Sequence, residues 1–183
     1  MTYYGASDLA AAFRQVRGNT IHIAREIPED KYDFKAAPGI RTAGQTLVHV
    51  ALAPRLQLHL QRNRISDLQT VNFMELIGPL AAEEGKARTK AEIIALLVSE
   101  GSSFASYVEA LTEAFLAETV KMSPGAQPAT KTRFEMLMSV KEHEMHHRGQ
   151  LMVLQRMMGL TPHLTRQMQE RMAQRAAAAQ AAR

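Results

Sequence analysis

Residues 132–159 read TRFEMLMSVKEHEMHHRGQLMVLQRMMG, and this stretch decides the fold. It opens on Thr132 with Glu135 three residues on, a T-x-x-E box in which hydroxyl and carboxylate close a helix's first turn. Met136, Val140, Leu151, Leu154 and Met158 follow at helical spacing, and Gly159 with Pro162 behind it supplies the stop. The spacing predicts one long helix over 132–158. Three of the chain's seven histidines lie inside it, at His143, His146 and His147. His143 and His147 are four apart and share the apolar face, whereas His146 points about a third of a turn away.

Outward from this helix the periodicity stays helical. Leu9, Phe13, Val16, Thr20, Ile23 and Ile27 mark one face of a first helix from about Ser7, which Pro28 stops. A long loop follows. A second helix begins near Thr42, with Thr46, His49, Leu52 (or Ala53), Leu56 and Leu60 on one face. Pro54 inside it frees the carbonyl of Val50, so a kink is expected close to His49. Residues 61–88 carry no sustained stripe. They suggest a short helix at Val71–Ile77, a break at Gly78–Pro79 and another near Gly85. A third helix starts at the Thr89/Glu92 box and carries Ile93, Leu97, Phe104, Val108, Leu111 and Phe115. SPGAQPAT (123–130) reads as a loop. Past Thr165 the chain is rich in Gln, Arg and Ala and has little apolar surface to bury, so residues 164–183 read as a helical or frayed tail. No segment alternates with period two long enough to make a sheet. Four amphipathic helices imply an all-α bundle over residues 1–163.

Composition narrows the chemistry. The chain has 183 residues and no cysteine, which excludes zinc–thiolate sites, iron–sulfur ligation and a cysteine nucleophile. Any metal must be held by His, Asp or Glu. The net charge of +4 is too small and too scattered for a nucleic-acid face. The densest basic stretch, with Arg55, His59, Arg62 and Arg64, has no aromatic residue for base stacking. No apolar run approaches the roughly 20 residues of a membrane span. The N-terminus has neither the basic nor the apolar segment of a signal peptide, and the expected location is the cytoplasm.

Two imidazoles on a core-facing stripe need a reason, because buried polar groups are costly unless satisfied. A shared metal ion supplies one, since residues at i and i+4 reach the same ion. His49 on the second helix offers a third imidazole from an apolar stripe. Three histidines leave open positions on the ion, the pattern of a catalytic rather than a structural site.

The string H-E-x-H-H-R-G-Q at 143–150, followed by an apolar run and a glycine, resembles the DinB/YfiT superfamily. So do the earlier histidine in Leu47-x-His49-x-Ala51 and the segment PEDKYDFKAAPGIRTAGQTLVHVA. The likeness spans about Ser7 to His163 and leaves the tail outside. It implies a four-helix bundle, often dimeric, with a divalent metal on His49, His143 and His147. It also implies one of several activities, among them metal-dependent transfer to a low-molecular-weight thiol. With no Cys of its own, this chain would borrow its sulfur. Zinc is the first expectation for the metal and nickel the second. A small-molecule substrate and a homodimer are expected.

Two other readings stand beside this one. HEMHH satisfies the H-E-x-x-H string of zinc proteases, in which Glu144 is the general base and Glu170 a downstream ligand by spacing. Gln150 stands where the longer form of that motif needs glycine, and no strand is in view to hold a peptide. Glu144 therefore reads as a carboxylate beside the metal or on the surface. The other reading is a non-enzymatic helical stress-response or binding module whose metal, if any, is structural. Arg148 is too far round the helix to ligate and is free for an acid or a substrate anion, or for solvent. Gln45, one turn before His49, is within reach of that imidazole.

Overall fold

The computed structural model describes residues 4–181. Helix α1 (Ala6–Glu26) lies along α5 (Lys90–Glu109) and also packs on α7 (Arg133–Met157). The fourth member of the bundle is a broken helix. Its first half, α2 (Ala43–Leu52), packs on α5 and α7, and its second half is α3 (Pro54–Arg62). The chain is an all-α four-helix bundle with a C-terminal helical extension, α8 (His163–Ala181).

The helix starts follow their caps. At Thr42, Thr89 and Thr132 the threonine hydroxyl accepts from the backbone N–H three residues on, and Gln45, Glu92 and Glu135 accept from the backbone N–H of the cap residue. The expected break near His49 falls at Ala53, after which Pro54 starts α3 as its first residue.

Other expectations are corrected. The helix foreseen at Val71–Ile77 is α4 (Phe73–Glu84), which runs through Gly78–Pro79 without a break. Proline there frees the carbonyl of Glu75, but α4 lies on the surface with no fully buried residue, so water can take that bond. The third helix stops at Glu109. Thr112 then caps a separate short turn, α6 (Glu113–Ala117), so Leu111 and Phe115 do not extend the stripe of α5. A two-stranded antiparallel hairpin was not foreseen. In it β1 (Thr119–Lys121) pairs with β2 (Thr130–Thr132), and Val120 is buried beside Leu60, Leu68 and Met136. Three residues per strand are too few for an alternating pattern to show.

Two apolar clusters fill the bundle, one around Phe13, Phe104 and Leu137 and the other around Ile23, Leu47, Leu97 and Leu151. Between them lies a charged layer. Arg17 (3% exposed) directs Nε at both oxygens of Glu144 (1% exposed), at 2.9 and 3.0 Å. Its Nη1 donates to the Leu97 carbonyl at 2.8 Å and its Nη2 to the Val50 carbonyl at 3.0 Å. The Val50 carbonyl is the one freed by Pro54. Arg17 thus satisfies the break in the α2–α3 helix and ties together α1, α2, α5 and α7. Space for its stem comes from Gly101, where a Cβ would stand 2.8 Å from Arg17 Cγ.

Candidate metal centre

His143 and His147 rise from adjacent turns of α7, and His49 faces them from the last turn of α2. Their Nε2 atoms converge: His143 Nε2 lies 3.1 Å from that of His49 and 3.1 Å from that of His147. The outer nitrogens are held. His49 Nδ1 lies 2.7 Å from Glu84 Oε1, and His147 Nδ1 lies 2.8 Å from Gln150 Oε1.

These partners settle the protons. A carboxylate only accepts, so His49 carries its hydrogen on Nδ1 and presents a bare lone pair at Nε2. The Gln150 amide donates its Nε2 hydrogen to His146 at 3.0 Å, which leaves its oxygen to accept from His147 Nδ1–H. His147 Nε2 is therefore bare as well. His143 Nε2 meets both lone pairs and has at most one proton to share between them. A cation at the convergence point would satisfy all three nitrogens. Nitrogens each about 2.0–2.1 Å from one ion, at angles between octahedral and tetrahedral, stand roughly 2.9–3.4 Å apart. The observed 3.1 Å falls in that range, so the donor set fits a divalent transition metal.

The surroundings keep His143 and His147 neutral. Burial pushes the His143 imidazolium down to about 4, and the neighbouring His147 and His49 push the same way. Burial also lowers His147, against the hydrogen bond to Gln150. Neutral imidazole is the form that ligates.

Two concavities flank the cluster. One, of about 390 Å3, is lined by His49 and His143 with Leu52, Leu56, Ile77, Leu80 and Glu84. The other, of about 750 Å3, is lined by His147, Gln150, Thr46, Ile40 and Leu154. Arg41 lines both, and its Nη2 lies 3.5 Å from Glu84 Oε2.

The remaining candidates fall elsewhere. Glu144, read as a carboxylate beside the metal or on the surface, and in the protease reading as the base, is none of these: α7 turns it away from the histidines into the core, against Arg17. Glu170 lies exposed on α8 and takes no part in the cluster. Gln45 closes the cap of α2, accepting from Thr42 N–H at 2.9 Å. Arg148 makes no ion pair among the described residues. The cation at the site is Arg41, from the loop just before the cap of α2, and the carboxylate is Glu84. Neither was singled out in the sequence, because no periodic stripe places the loop or residues 61–88 against His49.

The model of the DinB family matches residues 2–178. No curated protein matches. Among solved structures, a DinB-like protein of Bacillus subtilis is 22% identical, with 84% of this chain and 93% of that one covered and a TM-score of 0.62. YfiT of Bacillus subtilis, described as a probable metal-dependent hydrolase with an unusual four-helix bundle topology, is 15% identical. It covers 88% of this chain and 91% of its own at a TM-score of 0.67. A protein of Streptococcus pneumoniae is 20% identical over 85% and 93% of the two chains, with a TM-score of 0.59. At these identities the likeness is one of fold.

Proposed function

The chain belongs to the DinB family, and from that premise we propose that it is a metal-dependent transferase joining a small electrophile to a low-molecular-weight thiol. The observation that carries this reading is the pair of clefts meeting at one histidine cluster, room for two reactants on opposite sides of a shared centre. His49, His143 and His147 would hold a divalent ion, zinc first and nickel second by the all-nitrogen donor set. When bound, that ion supplies positive charge that lowers a thiol's pKa and favours the thiolate at neutral pH.

The chain's own residues do the rest. Leu52, Leu56, Ile77 and Leu80 make one cleft apolar and suited to a small organic electrophile rather than an extended peptide. Arg41, on the rim of both clefts, is placed to pair with a carboxylate on the thiol. Glu84 and Gln150 orient the two outer imidazoles and fix their tautomers. Hydrolysis, the chemistry suggested for YfiT, is the second reading. Against it stands the placement of the nearby carboxylates: Glu84 is committed to His49 and Arg41, and Glu144 to Arg17. Neither is free to take a proton from water.

We also propose a cytoplasmic homodimer. Met145, Val153 and Met157 form an exposed apolar strip on α7, with Gly149 between them, that a second copy would cover. Among the described residues no helix is long and apolar enough to cross a membrane.

The test is thiol consumption with zinc- or nickel-loaded protein against a panel of small thiols and electrophiles. His49→Ala, His143→Ala and His147→Ala should each abolish turnover, and His146→Ala should leave most of it. Metal-dependent ester or amide hydrolysis with no thiol transfer would reverse the ranking.

A further inference from the structure

A second group of ligand-type side chains lies where α8 meets α1. His22 and Glu26 are one turn apart on α1, and His163 opens α8. His22 Nε2 is 3.1 Å from Glu26 Oε1, and the rings of His22 and His163 are 4.2 Å apart between centroids. One donor atom from each of the three lies within 4.8 Å of the others.

His163 is what sets this group apart from an ordinary surface cluster. It is 3% exposed, and its Nε2 lies 3.3 Å from the amide oxygen of Asn19. That contact places the hydrogen on Nε2 and leaves Nδ1 as a bare lone pair, which has no hydrogen-bond partner among the described residues. A buried acceptor without a donor is rare. Glu26 meanwhile carries a cation already: Arg166, one turn into α8, bonds its Oε1, and Gln155 Nε2 approaches its Oε2 at 3.3 Å. The carboxylate is thus built to face positive charge arriving from α8.

We propose that His22, Glu26 and His163 form a second divalent-metal site, of the zinc type, that clamps the start of α8 to the bundle. Two imidazoles and a carboxylate are a common donor set for zinc, with His163 ligating through Nδ1. The Asn19 contact fixes its tautomer, as partners of metal-bound histidines do. A cation there shares or displaces the hold of Arg166 on Glu26. The result is a cross-link between elements that are far apart in sequence. The site lies outside both clefts of the first cluster, so its role is to hold the C-terminal helix rather than to bind substrate.

The test is a calorimetric zinc titration of tag-free, metal-stripped full-length protein, alongside His22→Gln, His163→Gln and the double variant His143→Ala/His147→Ala. Expected are two zinc ions per chain in the parent protein and one in each of the three variants. His22 is exposed, so its variant keeps the fold even where His163→Gln loosens it. In the double variant, zinc should also slow hydrogen exchange in the first turn of α8. Two ions that persist in both His22→Gln and His163→Gln would overturn the proposal. So would a single ion in the parent that only the His143/His147 pair removes. A single ion lost with His22 or His163 but kept without His143 and His147 would uphold this site and overturn the three-histidine one.

Discussion

Replacing Arg17 with methionine removes the charge at the centre of the bundle and leaves Glu144 buried without a partner. Both side chains are almost wholly enclosed, so solvent cannot take over either one. Breaking a buried ion pair from one side costs roughly 3–5 kcal/mol. For a chain of this length that lowers Tm by about 6–20 °C. Glu144→Leu should cost a similar amount, because it strands the guanidinium without a counter-charge. Replacing both, Arg17→Met with Glu144→Leu, removes the unpaired charge and should recover most of the loss. Recovery stays incomplete because the Val50 carbonyl, already stripped of its helical donor by Pro54, now loses Arg17 as well. An unsatisfied buried acceptor costs about 1–3 kcal/mol. Urea unfolding of the four proteins gives the cycle directly. Arg17→Met within 1 kcal/mol of the parent, or a double variant as unstable as the sum of the singles, would refute this reasoning. Glu144→Gln that keeps full stability yet loses all activity would instead restore Glu144 as a catalytic base.

Gly101→Ala pits a helix-propensity gain of about 1 kcal/mol against overpacking on Arg17 Cγ at 2.8 Å. Overpacking costs about 1–3 kcal/mol, so the variant should be less stable in urea, and a gain would show that Arg17 shifts freely. Glu84→Gln weakens the orientation of His49 and should lower zinc affinity at the three-histidine cluster by about 10–100-fold, read by competition with a chromophoric chelator. Unchanged affinity would remove Glu84 from the site. The His143 pKa is depressed on folding, so its contribution to stability is present above about 6.5 and is lost as pH falls towards about 4. With solvent screening of a half-buried ring, metal-free protein should lose on the order of 1–2 kcal/mol over that window relative to His143→Gln. Parallel pH curves for the two proteins would contradict this.

The helices and the three convergent histidines were legible because both rest on local spacing. The T-x-x-E boxes at Thr89 and Thr132 set where two of the helices begin, and an i, i+4 pair on an apolar stripe has to face the core. Pro54 likewise announced the break beside His49. What bears on the site from a distance was not legible. Arg17 reads as one more charged side chain of α1 until Glu144, 127 positions away, is placed against it. Glu84 reaches His49 from a surface helix whose apolar pattern is weak because nothing in it is fully buried. Pro79 signals a break that does not occur, since a freed carbonyl at the surface costs little. Thr119–Lys121 and Thr130–Thr132 pair through backbone bonds that leave almost no imprint on side-chain pattern.

The central claim is that three Nε2 atoms hold one metal. It is tested most directly by anomalous scattering from crystals of tag-free, zinc-loaded protein, with data collected on both sides of the zinc absorption edge. The expected result is an anomalous peak about 2.0–2.2 Å from Nε2 of each of His49, His143 and His147. No peak between these three nitrogens, or zinc bound through His146 while His49 stays apart, would contradict it.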